Sequence, residues 1–320
     1  MSLNSNTATV ASGALAHAGE PDRTTDDNPA PKLKRGLFRK SGATQESPVV
    51  NFILTIILSL GAVVMAAPLV WMVSTSLKTK DAVYSLPPQW IPDPFVWDTY
   101  VRVFDDTYVL SGIKNSLIVA VTVTVVGTVF SSLAAFALAK MRLPGKNVIF
   151  IMLLSGMMVP FPTLMIPQFV LFSKLGWVDT LLPLIVPVIL GNVIMIFFLR
   201  QYLHNVPDSL VEAAKIDGAS YWKIFWTMIF PLIRPAVAAQ FILWFMFVWN
   251  DYLAPIIYLN SPEKQTLQVV IANMNVQYAT QRDYPLIMGA SVISVIPILI
   301  VFLVFQRQII ESIALTGSKT

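Results

Sequence analysis

The chain of 320 residues lacks cysteine and contains only two histidines, His17 and His204. Without cysteine it can form neither a disulfide nor a thiolate metal site, although this absence does not fix a compartment. The two histidines lie far apart in predicted loops, so neither is expected to be a metal ligand or a catalytic base. The sequence therefore predicts no metal site and no catalytic residue.

Charge is also scarce. Charged residues make up 12% of the chain and hydrophobic residues 55%, and the mean hydropathy is +0.66. This composition is too apolar for a soluble domain and favours a membrane protein. The formal net charge of +4 does not indicate nucleic-acid binding, because no stripe of lysine and arginine with interleaved exposed aromatics is present.

What the chain has in abundance is long apolar runs, each able to supply the roughly 20 residues that cross a hydrocarbon core. They predict six transmembrane helices, since barrel-like alternation is absent. The expected organisation is a disordered cytoplasmic extension over 1–46, a membrane domain over 47–307 and a cytoplasmic tail over 308–320. The six runs are 47–77, 115–139, 147–173, 180–199, 235–258 and 284–306.

The basic residues orient these spans. Fifteen of the 22 lysines and arginines fall on the side that holds both termini and the loops at 140–146 and 200–234. By the positive-inside rule, both termini and these loops are expected to be cytoplasmic. The basic cluster at 32–40 is expected to lie at the anionic inner headgroups.

The loop at 200–236 is the most informative segment. Ser209 to Glu212 reads as a capping box that starts a short helix, and Gly218 is suited to ending it. Ser220 can cap a second helix, which Pro231 is expected to end near Phe230. The first helix is expected to present a small, flat side that includes Ala213 and Ala214. An ordinary amphipathic connector is the alternative interpretation.

The stretch EAAKIDGASYWKIFWTMIFPLIRPA resembles the EAA loop of permease subunits of bacterial ATP-binding-cassette importers. Their pattern is EAA, three residues, Gly, nine residues, then Ile-x-Leu-Pro, and Met228 and Phe230 replace the Ile and Leu here. PPQWIPDPFVWDTYVRVF, AFALAKMRLPGK, IPQFVLFSKLG and WNDYLAPIIYLNSPEKQTL resemble the six-helix permease of the sugar-importer branch, so the resemblance covers roughly residues 50–320.

This resemblance implies a type I importer fold in a bacterial inner membrane. It implies a heterodimer with a second, homologous permease, two ATPase subunits that bind ATP and Mg, an extracytoplasmic sugar-binding protein, and a sugar substrate. The tail residues Gly317, Ser318 and Lys319 are expected to contact the ATPase. So are the loop residues Glu212, Ala213, Ala214, Lys215, Asp217, Gly218 and Ala219.

The chain itself is expected to be no enzyme. It has no G-x-x-x-x-G-K-[ST] phosphate loop, and its cytoplasmic loops are too short for a nucleotide-binding domain. A stand-alone secondary carrier of small polar solutes is the alternative function. Such a carrier usually needs an ionisable site near the membrane centre, and the spans here are almost free of charge.

The translocation path is expected to use amide and aromatic groups, namely Asn192, Trp249 and Asn250. Pro160, Pro162 and Pro167 are expected to kink the third span. The outer loop at 78–114 is rich in proline and tryptophan, which fits either an aromatic belt at the interface or a docking surface for a binding protein.

Overall fold

The computed structural model describes residues 48–105, 107–281 and 283–317, and beyond residue 308 only the backbone. Within these ranges every regular element is helical, which confirms the predicted all-α class. The chain divides into two compact units, residues 1–58 and residues 59–320. The extension predicted over 1–46 lies outside the described residues.

Thirteen α-helices follow one another in the described part of the chain, and two single 3₁₀ turns lie between them. The last helix continues past residue 307, so the expected boundary of the tail is not marked by a break. The helices are α1 Pro48–Ser76, α2 Asp98–Asp105, α3 Val109–Lys140, α4 Lys146–Gly156, α5 Phe161–Lys174, α6 Leu182–Ile189, α7 Val193–His204, α8 Asp208–Ile216, α9 Tyr221–Ile224, α10 Phe230–Trp249, α11 Leu253–Tyr258, α12 Leu267–Ala279 and α13 Tyr284–Gly317.

Five helical regions of the described chain are long and apolar enough to cross a membrane, and the pair α4 and α5 counts as a sixth if it is one span. This pair is bent by 93°. Pro160 lies at the bend in an extended conformation, and Pro162 falls in the first turn of α5, where its missing N–H costs nothing. The predicted kink in the third span is confirmed.

The helix α3 is the centre of the bundle, since it packs against α6, α7, α10 and α12. On the far side of α10, α13 packs against α10, α12 and α2. One hydrophobic cluster runs from α8 along α3, α7 and α10 to α5, α6 and α11, and a second joins α2, α3, α10, α12 and α13.

The crossing of α3 and α10 depends on a missing side chain. A Cβ built on Gly127 would lie 2.2 Å from Cη2 of Trp244. Trp244 is itself buried in the core, so its ring cannot move aside without opening a void. Gly127 is therefore the position that lets the two central helices approach.

We predict that Gly127→Ala lowers the free energy of unfolding by about 1–3 kcal/mol, because overpacking forces Trp244 from its site. Gly61→Ala is the matched control, since no atom lies within 4 Å of the added Cβ. The thermal midpoint of the purified protein in detergent is the measurement. Equal midpoints for the two variants would contradict the predicted contact.

At one end of the bundle, a buried carboxylate joins three segments. Asp283 is 1% exposed, and its Oδ2 lies 2.7 Å from Lys80 Nζ and 2.5 Å from Arg102 Nη2. Burial acts to raise the pKa of Asp283, but the hydrogen bonds and charges of Lys80 and Arg102 outweigh it and hold this pKa below its usual value. This pairing ties α2 and the loop after α1 to the start of α13.

A second carboxylate, Asp179, joins the α5–α6 connection to the turn after α11. Its Oδ1 accepts hydrogen bonds from the amides of Asn260 and Ser261, both 2.9 Å, and its Oδ2 accepts from Ser261 Oγ at 2.6 Å and Lys264 Nζ at 2.9 Å. The Asp179 amide donates to the Tyr258 carbonyl at 2.7 Å. Hydrogen bonds from Ser261, followed by that of Lys264, hold the pKa of Asp179 well below its usual range.

We predict that Asp179→Asn lowers the free energy of unfolding by about 1–3 kcal/mol at pH 7, because it removes the charged acceptor. Asparagine also tolerates the left-handed backbone that Asp179 adopts at φ 61°. A depressed carboxyl pKa stabilises above the unfolded value of about 3.9, and this stabilisation is lost as pH falls through the folded pKa.

The gap in thermal midpoint between wild type and Asp179→Asn should therefore be full at pH 6 and shrink below about pH 4. Glu263→Gln removes a charge of the same sign from the same turn and should leave the midpoint unchanged. A gap that persists undiminished at the lowest accessible pH would contradict the assigned role of the charge.

Candidate functional site

Helix α8, Asp208–Ile216, occupies the loop that the sequence singled out, and its ends lie within one residue of the predicted ones. The predicted capping box is wrong. Pro207 occupies the N-cap, no side chain caps the helix, and Ser209 already lies inside it. Asp208 in the first turn supplies the negative charge that the positive helix end favours.

The C-terminal end of α8 follows the prediction. Gly218 adopts φ +78°, a left-handed conformation. The amide of Ala219 donates to the Ala214 carbonyl at 3.0 Å, and the Gly218 amide donates to the Lys215 carbonyl at 3.0 Å. These two bonds form a Schellman motif, which satisfies carbonyls that the helix end leaves without partners.

The second predicted helix does not end at Pro231. Ser220 caps α9 as predicted, since its Oγ accepts from the Lys223 amide at 3.3 Å. A π-helical turn, Phe225–Ile229, then leads directly into α10, where Pro231 lies in the first turn. The wider π turn carries the chain past a ring that has no N–H to donate.

One buried ammonium fixes α8 to the bundle. The Lys140 side chain is 3% exposed, and its Nζ lies 2.5 Å from both the Val206 carbonyl and Asp208 Oδ1. The hydrogen bond and charge of Lys140 hold the pKa of Asp208 below its usual value. Val211 and Ala214 complete the attachment by packing into the hydrophobic core.

The predicted flat side of α8 is divided by this packing. Ala214 faces the core, whereas Ala213 is exposed, because neighbouring residues on a helix point about 100° apart. The exposed side carries Glu212, Ala213 and Ile216, and Ile216 is 86% exposed. A fixed helix therefore presents a small, partly apolar face with one carboxylate.

The other residues expected to contact an ATPase surround this face. Lys215 Nζ lies 3.9 Å above the Tyr221 ring, Asp217 and Gly218 are exposed at the helix end, and Ala219 is half-buried. The Glu212 carboxylate lies 3.1 Å from Arg142 Nη2, and both side chains are largely exposed. In the predicted tail, Gly317 ends α13, while Ser318 and Lys319 lie outside the described residues.

A cavity of about 530 Å³ opens between α3, α5, α6, α10 and α11. Its lining is mainly apolar, with a few polar groups that include Ser116, Gln168 and Thr266. The Tyr258 hydroxyl donates to Gln168 Oε1 at 3.0 Å. Such a lining, with few but converging polar groups, is typical of a small-molecule site.

One face of α10 supplies the aromatic wall of this cavity. Trp244, Phe247 and Val248 line it from one face of the helix, at i, i+3 and i+4, and Asp251 lines it two residues past the end of α10. Asp251 Oδ1 accepts from the Leu253 and Ala254 amides at 3.1 and 3.4 Å and so begins α11. This spacing was present in the sequence and could have identified the wall.

The three predicted pathway residues separate in the structure. Asn192 lines the cavity, and its Oδ1 accepts from the Met195 amide at 3.0 Å as the N-cap of α7. Trp249 does not line it, because the side chain is buried on the α13 side and Nε1 donates to the Ser294 carbonyl at 3.0 Å. Asn250 is exposed outside the cavity lining and accepts from Gln268 at 3.3 Å.

Comparison with known proteins agrees with this architecture. Residues 127–313, more than half of the chain, match the family described as binding-protein-dependent transport system inner membrane component. The matched region contains α8 and most of the cavity wall, including the α10 face.

Several curated relatives are sugar permeases by name. The chain is 32% identical to the arabinooligosaccharides transport system permease protein AraQ of Halalkalibacterium halodurans, over 85% of this chain and 98% of that protein. It is also 32% identical to the trehalose/maltose transport system permease protein MalG of Thermococcus litoralis, over 82% of this chain and 96% of that protein.

Among solved structures, a chain of a bacterial ABC transporter involved in import of the acidic polysaccharide alginate matches with a TM-score of 0.71 and 25% identity. The match covers 81% of this chain and 96% of that one. The predicted importer fold is therefore confirmed. The chain belongs to the family of binding-protein-dependent transport system inner membrane components, and it resembles the carbohydrate-uptake permeases of ATP-binding-cassette importers.

Proposed function

We propose that this chain is a permease subunit of an ATP-driven carbohydrate importer and forms half of its translocation pathway. The observation that carries the proposal is the exposed face of α8 on a firmly attached helix, within a fold shared with importer permeases. The names of relatives support an oligosaccharide as the substrate class. Family membership argues against a stand-alone secondary carrier.

The α8 end of the bundle is proposed to face the cytoplasm of a bacterial cell, with the chain in the inner membrane. Lys140, Arg142, Lys146 and Lys215 gather around α8, which agrees with the positive-inside rule. The family description supports an extracytoplasmic binding protein as the partner at the opposite end. At that end, the segment at 78–114 and the turn after α11 would contact the binding protein.

Energy is proposed to come from two ATPase subunits that hold ATP and Mg, because this sequence has no phosphate loop. A homologous permease is proposed to complete the pathway as a heterodimer. The ATPase would receive Glu212, Ala213 and Ile216, whose exposed apolar and charged atoms suit a groove on a partner protein.

Mechanically, α8 transmits motion because it is fixed at its start and along its inner side. Lys140 holds the start of the helix to the end of α3, and Val211 and Ala214 hold its inner side to the core. A force on α8 is therefore passed to α3, whose Ser116 lines the cavity, and is not absorbed by the bending of a loop. This is the coupling of two sites through one packed element that alternating access requires.

In the cavity, sugars are proposed to pass over the aromatic wall of α10. Phe247 offers an exposed ring face, the almost fully buried Trp244 borders the same cavity, and Gln168 and Asn192 offer amides there. Phe247 is 72% exposed, so its ring can serve a solute or the partner permease without loss of this chain's own core.

We predict that Glu212→Lys leaves membrane insertion intact but abolishes both ATPase association and sugar uptake, since charge reversal at the contact disfavours docking. Co-purification of the ATPase with tagged permease, together with uptake into cells, is the measurement. A variant that retains a normal amount of bound ATPase would contradict the proposal.

Arg142→Ala is the matched control for this variant. It removes the side chain that pairs with Glu212 in the described part of the chain but leaves the carboxylate in place on α8. If Glu212 acts on a partner protein, Arg142→Ala should retain ATPase association, because an exposed ion pair contributes only about 0–1 kcal/mol to stability. Equal loss in both variants would instead assign Glu212 an intramolecular role.

We predict that Phe247→Ala lowers sugar uptake by about threefold to tenfold, the range expected from losing one aromatic contact. The thermal midpoint should not change, because the side chain is largely exposed. Leu303→Ala on α13, an exposed position that does not line the cavity, is the control and should transport normally. Unchanged uptake by Phe247→Ala would exclude this ring from the path.

A further inference from the structure

A second cavity, of about 510 Å³, lies between the α3–α4 connection and α8. Cations dominate the charged groups in its lining, which are Lys140, Arg142, Lys146, Lys215, Asp208 and Glu212. Glu212, Lys215 and Ile216 in this lining also belong to the surface expected to meet the ATPase, but neither the family assignment nor that contact gives a ligand to the space between them and Lys146.

The two carboxylates in this lining already have partners. Asp208 pairs with Lys140 at 2.5 Å, and Glu212 pairs with Arg142 at 3.1 Å. Each of these pairs cancels one positive charge. The charge that remains in the cavity therefore belongs to the other two lysines.

These lysines have no carboxylate partner in the described part of the chain. Lys146 Nζ donates to the Met141 carbonyl at 3.1 Å, and Lys215 Nζ lies 3.9 Å above the Tyr221 ring. Neither contact neutralises an ammonium charge. Two uncompensated positive charges thus border one cavity, which favours an anion inside it.

The neighbourhood of the cavity is apolar on one side. Helix α4 begins at Lys146, and its next turns expose large hydrophobic side chains, namely Val148, Ile149, Ile151 and Met152. Because α4 belongs to a candidate membrane span, these side chains lie where acyl chains can cover them. A ligand with phosphate at one end and hydrocarbon at the other matches this combination.

We propose that this cavity binds the phosphate of an anionic phospholipid headgroup, with Lys146 and Lys215 as its cationic partners and the acyl chains along α4. The volume suits a headgroup of phosphoglycerol size, since ligand pockets span about 300–1,000 Å³. Basic pockets at the cytoplasmic ends of membrane helices bind such headgroups through the same charge attraction. This site is separate from sugar transport, so it does not depend on the proposed substrate.

The test is native mass spectrometry of the intact transporter complex in detergent, titrated with phosphatidylglycerol and, separately, phosphatidylcholine. The wild-type complex should retain phosphatidylglycerol in preference to phosphatidylcholine. Lys146→Gln and Lys215→Gln should each weaken retention about fivefold, and the double variant about 25-fold. Lys223→Gln removes an exposed lysine of α9 that does not line the cavity, and it should bind like wild type.

Competition with inorganic phosphate separates the two sources of the anion. Inorganic phosphate at a concentration equal to that of the lipid should displace no phosphatidylglycerol, because it has no acyl chains to contact α4. Displacement would show a free-phosphate site and overturn the lipid assignment. Equal retention by wild type and both lysine variants, each with an unchanged thermal midpoint, would also overturn it. A third result would overturn it as well: the permease alone binds the lipid, but the full complex does not. A partner protein would then fill the cavity.

Discussion

The buried ammonium of Lys140 is the interaction on which the mechanical account depends. It joins the last residue of α3, the central helix, to the Val206 carbonyl and the Asp208 carboxylate at the start of α8. A buried charge is tolerated only when it is paired and hydrogen-bonded, so the contact also fixes geometry. Without it, α8 would be held only by Val211 and Ala214, and a force on its exposed face would be absorbed by the loop.

The two sides of α8 differ. One side attaches the helix to the bundle, and the other is exposed. Residues on the inner side of α8, such as Ala214, must be small so that the helix can lie close to the core of the bundle. Residues on the outer side, such as Ala213 and Ile216, remain available to a partner. Two adjacent alanines therefore place one small side chain on the attached side of the helix and one on the exposed side.

The sequence alone predicted what depends on composition and on local backbone chemistry. Apolar runs located the five candidate spans and the bent pair of α4 and α5, Pro160 located the bend, and Gly218 located the end of α8, because each effect acts within a few residues. What it predicted wrongly depends on tertiary packing. A π turn carries the chain past Pro231, and Arg142 takes the carboxylate expected to cap α8. The cavity wall on α10 could have been found from its helical spacing.

The most direct test of force transfer through α8 is cross-linking in the intact assembly, which is simplified because the chain has no native cysteine. A single cysteine at Ile216 on the outer face and one at Ala214 on the inner face would be compared with a short bifunctional reagent. The account predicts that Ile216→Cys cross-links to the ATPase subunit and that the yield changes when ATP is bound, whereas Ala214→Cys does not react. An Ile216→Cys protein that forms no product with the ATPase in either state would contradict it.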